Sequence, residues 1–296
     1  MRSTPFQRSR ALASLAAAAL AASALAPETQ AQVLVLNNGP FITGPGQGFG
    51  GGDVSQTQSG IAVGLGNNEL ASPPNGPLRI ADDFTLTGGG ARGTQLTTLV
   101  WYGFQTQTAN FNTDSPFTGA FVTLYDGSPL AGGHPFAGDF TTNRLLSGTW
   151  SGVYRVSSSA SQILNPNRPV MALTLDMSWA PRLADGRYYL AVSLANETSP
   201  TSPLFSVPVT PQRVGTDNAE QFFNGSWLST PIDFPFLLYS ACPADFNGSG
   251  TVTVQDIFDF LGAYFTSDPA ADFNGVGGVT VQDIFDYLGA YFSACP

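Results

Sequence analysis

The chain has no lysine. All 11 basic residues among its 296 are arginine, set against 21 Asp and Glu, for a net charge of −10. Phosphate recognition needs clustered cations, so nucleic acid and anionic membranes are poor partners. Histidine occurs once, as His134 after Gly132-Gly133 in a turn-forming context, and no nucleophile-elbow pattern accompanies it. A Ser-His-Asp triad therefore has no support. Only two cysteines exist, Cys242 and Cys295. Their spacing excludes a CxxC metal or redox site. Long apolar runs are confined to Ala11–Ala26, which is Ala-rich, broken by Ser and followed by Pro27. That falls short of the roughly 20 strongly apolar residues a spanning helix needs.

The run is instead framed as an export signal. Arg2, Arg8 and Arg10 precede it, and Thr29-Gln30-Ala31 supplies small residues at the cleavage-determining positions. Residues 1–31 thus read as a secretory signal peptide, the mature chain having no membrane span, and the expected location is secreted, extracellular or cell-surface associated.

Residues 32–241 are long enough for one substantial core and are rich in Gly, Thr, Ser, Phe and Val. Strand-like segments recur at Arg79–Thr87, Gln95–Phe104, Gly119–Tyr125, Gly148–Val156, Val170–Met177, Arg187–Leu194 and Phe234–Tyr239. Gly88-Gly89-Gly90, Asp126-Gly127-Ser128, Asn165-Pro166-Asn167 and Asp185-Gly186 separate them. The pattern predicts a mainly β unit, an antiparallel and jelly-roll-like β-sandwich. The Gly-rich stretch Asn37–Gly52 predicts a loop or irregular edge. Its Gly46-x-Gly48-x-x-Gly51 fingerprint lacks the strand before and the helix after that dinucleotide binding requires.

Chemistry in this unit has thin support. Asp82, Asp83, Glu197 and Glu220 are the acids that glycoside hydrolysis could draw on, and that reaction needs two carboxylates about 5 to 10 Å apart. Adjacent Asp82 and Asp83 point to opposite faces of a strand and cannot pair with each other. Trp101, Tyr102, Trp150, Trp179 and Trp227 offer faces on which sugar rings stack, with Trp179 and Trp227 in loop-like contexts the first choices, although aromatics in a sandwich ordinarily fill its core. The expectation is a non-catalytic structural or polysaccharide-binding unit. A glycoside hydrolase or lyase is the alternative.

The most informative pattern lies beyond residue 241. Asp245–Phe265 (DFNGSGTVTVQDIFDFLGAYF) and Asp272–Phe292 (DFNGVGGVTVQDIFDYLGAYF) are identical at 18 of 21 positions, with a period of 27. A twelve-residue calcium loop places oxygen donors at positions 1, 3, 5, 7, 9 and 12 and a Gly at position 6. The first copy fills these positions with Asp245, Asn247, Ser249, Thr251, Thr253 and Asp256 around Gly250. The second offers Asp272, Asn274, Gly278, Thr280 and Asp283 around Gly277, but Val276 brings no oxygen to position 5. Unequal sites are expected, the first the stronger. With two carboxylates each and a terminal Asp in place of Glu, affinity should be modest, in the roughly millimolar range of extracellular modules. Each loop leads a helix-compatible stretch. In the first, Ile257, Phe258, Phe260, Leu261, Ala263, Tyr264 and Phe265 form more than the single stripe a surface helix buries.

Paired loops of this kind, each leading one helix, resemble the type I dockerin module. The Cys-Pro flank, the DFNG openings and the VQDIF and LGAYF segments are most similar to its GC-type variant. The resemblance covers 242–296 and implies a small calcium-folded helical module that docks to a cohesin-like or cell-surface protein. It also implies partner recognition by Val254 and Gln255 and by Val281 and Gln282, the two residues before each last ligand. Cys242 and Cys295 bracket the repeats, and a disulfide between them would clasp the module, contributing about 4 kcal/mol on the loop-entropy argument.

Overall fold

A computed structural model describes residues 32–57, 63–71, 76–106, 115–196, 204–210 and 218–293. The expected signal peptide, Glu197 and Cys295 lie outside the described residues.

Fourteen strands and two helices are described, and the protein is mainly β. In chain order the strands are β1 Gln32–Asn37, β2 Asp53–Gln56, β3 Leu65–Gly66, β4 Arg79–Leu86, β5 Leu96–Gln105, β6 Gly119–Tyr125 and β7 Pro135–Asp139. They continue as β8 Leu145–Val156, β9 Pro169–Asp176, β10 Gly186–Ala195, β11 Leu204–Ser206, β12 Glu220–Phe223, β13 Ser226–Ser229 and β14 Phe236–Ala241. One sheet runs β1-β14-β5-β9-β8-β2, with β11 joining β5 to β3. The other runs β13-β12-β4-β10-β6-β7. The β2–β8 pair is parallel and the remaining pairs are antiparallel.

Four of these pairings nest in sequence: β1 with β14, β4 with β10, β5 with β9, and β6 with β7. The chain thus behaves as a long antiparallel hairpin whose successive rungs fall alternately in the two sheets. Period-2 alternation turns one face of each strand inward. Ile80, Phe84 and Leu86 of β4, Val122 and Leu124 of β6 and Leu190, Val192 and Leu194 of β10 meet Leu99 and Trp101 of β5, Leu173 and Leu175 of β9 and Phe236 and Leu238 of β14 in one core. This face-to-face packing makes the unit a β-sandwich.

Within that core Trp101 is fully buried, stacked on Phe234 and Phe236 at 5.9 and 5.8 Å, and its indole N–H donates to Ser206 Oγ at 2.8 Å. The Gly-rich stretch is irregular, with one short 3-10 turn at Phe49–Gly51, and Gly46 N–H donates to the Asp53 carboxylate. No helix follows it: β2 does.

Directly after β14 come the two repeats, with α1 at Val254–Phe265 and α2 at Val281–Phe292. Both start at a threonine, Thr253 or Thr280, whose backbone N–H is capped by the Asp three residues on, at 2.8 and 2.7 Å. This reciprocal arrangement fixes where the helix begins. Between the helices, Phe260 and Tyr287 are fully buried and stack at 4.2 Å with planes 5° apart. Phe246 and Phe273, the aromatic residues of the two DFNG openings, meet that pair edge-on at 5.5 to 6.3 Å. Edge-to-face contact places the positive ring edge on the negative face. The duplicated Phe thus packs from both sides against the buried core of the repeat pair, Phe260, Ala271 and Tyr287.

Candidate metal centre

Both loops close around oxygen atoms. In the first, Asp256 is fully buried; its Oδ1 accepts from Asn247 N–H at 3.1 Å, and its Oδ2 from the Thr253 N–H and hydroxyl at 2.8 and 3.0 Å. Asp245 Oδ1 accepts from Ser249 N–H at 2.9 Å and Oδ2 from Gly250 N–H at 2.7 Å. Asn247 Oδ1 accepts from Ser249 N–H at 3.0 Å, and the Ser249 hydroxyl donates to the Thr251 carbonyl at 3.1 Å. Gly250 at position 6 has φ +91°, the left-handed turn that glycine adopts without strain. Thus Asp245, Asn247, Ser249, Thr251 and Asp256 come together, while the Thr253 hydroxyl is engaged on Asp256 as part of the helix start.

The second loop repeats half of this. Asp283 is fully buried and accepts from Asn274 N–H at 3.2 Å and from the Thr280 N–H and hydroxyl at 2.7 and 2.9 Å. Burial alone would raise its carboxyl, but these bonds outweigh burial and hold it below the usual aspartate value. Val276 N–H donates to Asn274 Oδ1 at 2.8 Å, and the Val276 side chain is 71% exposed. Gly275, Gly277 and Gly278 all have positive φ. Asp272 differs from Asp245 in its bonding and not in its burial: the two residues are 9% and 5% exposed, but Asp272 Oδ1 is buried without a hydrogen-bond partner.

Two acids that the spacing did not single out complete the arrangement. Asp259 accepts from Asn247 Nδ2 at 2.9 Å and from Gln255 Nε2 at 2.8 Å. Asp286 does the same for Asn274 and Gln282, at 2.7 and 2.9 Å. By taking the amide NH2, each fixes the Asn so that its carbonyl oxygen turns into the loop, the outer-shell role that orients ligands. Their repetition at the same position in both copies was the available signal.

Among the described residues no group of three His, Cys, Asp or Glu converges as a metal site. Each loop instead combines two carboxylates with amide, hydroxyl or carbonyl oxygens, a donor set for a hard cation. An orphaned buried carboxylate oxygen at position 1 of the second loop fits that chemistry, because an unpaired buried acceptor is costly.

The helix faces beside the loops match each other. Val254 and Val281 are each 60% exposed, Phe258 and Phe285 63% and 64%, and Phe265 and Phe292 78% and 76%. Gln255 and Gln282 are exposed next to the valines. The repeats touch the sandwich elsewhere. Arg92 donates to the Phe246 carbonyl at 2.7 Å and covers its ring at 4.2 Å, and burial pushes its guanidinium down to about 10. Gly90, with φ +56°, sits so close to the second loop that a Cβ there would lie 3.0 Å from the Phe273 carbonyl oxygen. Two cavities of about 200 and 310 Å³ flank this junction, both lined by Gln95, Arg182, Ala241 and Asp245. Cys242 is buried; its expected partner Cys295 lies outside the described residues.

In the sandwich, the candidate acids are placed apart. Asp82 lies on the core face and accepts from Phe234 N–H, Asn38 Nδ2 and Asp83 N–H; burial raises its carboxyl well above the usual value. Asp83, on the opposite face, pairs with Arg187 at 2.7 Å. Glu220 is buried and accepts from the Ser128 hydroxyl and from Leu130 N–H, pinning the β6–β7 turn. His134 in that turn is exposed, with Nδ1 3.7 Å from Asp126. The tryptophans are also dispersed. Trp150 leans on Tyr154, Trp179 lies under Arg144 at 4.6 Å, and Trp227 packs edge-on to Tyr125. Tyr102 packs on Phe41 at 4.5 Å.

No family model matches the chain, and no curated protein or solved structure matches it. None of the described helices is long and apolar enough to cross a membrane.

Proposed function

We propose that this is an exported protein whose repeat pair is a dockerin-like, calcium-dependent plug holding the β-sandwich on a cohesin-like or cell-surface protein. The matched, exposed apolar faces of α1 and α2, each beginning one residue after a helix start fixed by a loop acid, carry this reading. A core already closed by Phe246, Phe260, Phe273 and Tyr287 leaves Phe258, Phe265, Phe285 and Phe292 outside it. Exposed aromatics beside polar side chains are the composition of an interaction surface.

Calcium would supply positive charge that draws the loop oxygens together. The loop residues do the rest: Asp245 and Asp272 open the loops, Asn247 and Asn274 present carbonyl oxygens fixed by Asp259 and Asp286, and Asp256 and Asp283 couple each loop to its helix start. A Cys242–Cys295 disulfide would close the module. The nested pairing of eight strands supports a jelly-roll topology for the sandwich. In this reading it is the structural or polysaccharide-binding cargo.

The test is binding of the full chain to the surface proteins of its producer, immobilised, with and without a calcium chelator. Retention should require calcium and should fall when Phe258 and Phe285 are both changed to Ser. Retention untouched by both treatments would refute the docking role.

A further inference from the structure

We infer that the second loop, Asp272–Asp283, is the primary cation site of the pair and that the first, Asp245–Asp256, fills after it. This rests on the calcium reading above and reverses the order expected from side-chain chemistry, in which Ser249 completes the first loop and Val276 impairs the second.

The two position-1 carboxylates carry the inference. In the first loop both oxygens of Asp245 already accept N–H bonds, from Ser249 and Gly250, at 2.9 and 2.7 Å. A cation there shares lone pairs with donors in place, and its net gain is reduced accordingly. In the second loop Asp272 Oδ1 is buried with no partner, so that oxygen bears the penalty of an unpaired buried acceptor. A cation relieves that penalty as it binds. Val276 does not obstruct this, since its side chain is turned out to solvent and leaves position 5 open to a water ligand.

The sandwich deepens the asymmetry. Arg92 binds the Phe246 carbonyl within the first loop, and the loop acids that act on its charge are Asp245 and Asp256. Arg182 shares with Asp245 the walls of both junction cavities. Two guanidinium charges beside one loop oppose a divalent cation there by ordinary Coulomb repulsion. The second loop meets the sandwich at the uncharged backbone of Gly90, and of its residues only Phe273 joins Arg92 and Arg182 in a cavity wall. The first ion therefore binds at the loop that rests on Gly90, and the junction with the sandwich is ordered at lower calcium than the first loop.

Calcium isotherms of the full chain test this, with wild type compared against Asp245→Asn, Asp272→Asn and Arg182→Gln, and with melting curves to show that each variant folds. Asp272→Asn should abolish the tighter class of binding and leave the weaker. Asp245→Asn should do the converse. Exposed Arg182 can change without harm to the core, and Arg182→Gln should strengthen the weaker class about threefold, the size of one nearby surface charge acting on a divalent ion. Loss of the tighter class in Asp245→Asn, equal affinities in the wild type, or a gain confined to the tighter class in Arg182→Gln would each overturn the order alone. A wild-type chain that takes up no calcium would overturn the order and the calcium reading together.

Discussion

At Asp245 the first loop folds its own N–H groups onto the carboxylate, whereas at Asp272 the equivalent carboxylate keeps a buried oxygen with nothing to accept from. Three differences in 21 positions accompany this: Ser249 for Val276, Thr251 for Gly278, and Phe260 for Tyr287. The helix starts, by contrast, are duplicated bond for bond, with Asp256 and Asp283 each accepting from a Thr N–H, a Thr hydroxyl and an Asn N–H. The duplication is thus preserved where helices begin and relaxed where a cation would enter. The neighbours differ as well: the first loop meets Arg92 and shares a cavity wall with Arg182, and the second meets Gly90.

The largest effect should come from the part that is shared. Asp256→Ala and Asp283→Ala each remove a buried cap and three hydrogen bonds, and each should cost about 3 kcal/mol, as charge-assisted bonds and caps do. Urea unfolding followed by tyrosine fluorescence should find the two losses alike; a clear inequality would break the symmetry of the helix starts. Next come two glycines at equivalent positions. Gly248 and Gly275 have φ +73° and +72°, so alanine at either should cost about 1–2 kcal/mol in left-handed strain. A Cβ on Gly248 meets nothing, but on Gly275 it would lie 2.7 Å from Gly90 Cα. Gly275→Ala should therefore melt lower than Gly248→Ala and also weaken calcium binding at the second loop. Equal melting points would mean that the junction does not restrain that loop.

A smaller effect separates the third pair. Tyr287 hydroxyl donates to the Ala244 carbonyl at 3.2 Å in a buried setting, and Phe260 has no such bond. Tyr287→Phe should cost about 1 kcal/mol in thermal melts and leave calcium binding in place. The smallest change at neutral pH concerns acid. Asp283 has a lowered folded carboxyl value, so its contribution to stability is present above the unfolded aspartate value of about 3.9 and is lost as pH falls through the folded one. Metal-free melts from pH 5 downwards should show this loss, and Asp283→Asn should flatten it.

Much of the sandwich was legible in the sequence. The seven strands expected from apolar alternation correspond to β4, β5, β6, β8, β9, β10 and β14, with ends displaced by up to three residues. Of the other seven, β1 is a six-residue strand that was missed, and the rest are short or interrupted: β3 has two residues, β11 three, and β7 contains Pro135 and Gly138. One of these carried a usable signal. Asn224-Gly225 joins β12 to β13 with positive φ at both residues, the backbone that a two-residue hairpin turn demands. In the repeats, spacing singled out Asp245, Asn247, Ser249, Thr251 and Asp256, whose oxygens the first loop brings together. It could not identify Arg92, brought to Phe246 from 154 positions away, nor the different fates of Asp245 and Asp272, which depend on the path of the backbone. Nor could composition tell that Trp101 is core while Trp150 is 39% exposed.

Equilibrium dialysis of the full chain against calcium tests the account most directly. It predicts two ions bound per chain with unequal dissociation constants, the weaker in the roughly millimolar range of extracellular modules. No uptake at about 10 mM calcium, well above that range, would contradict it.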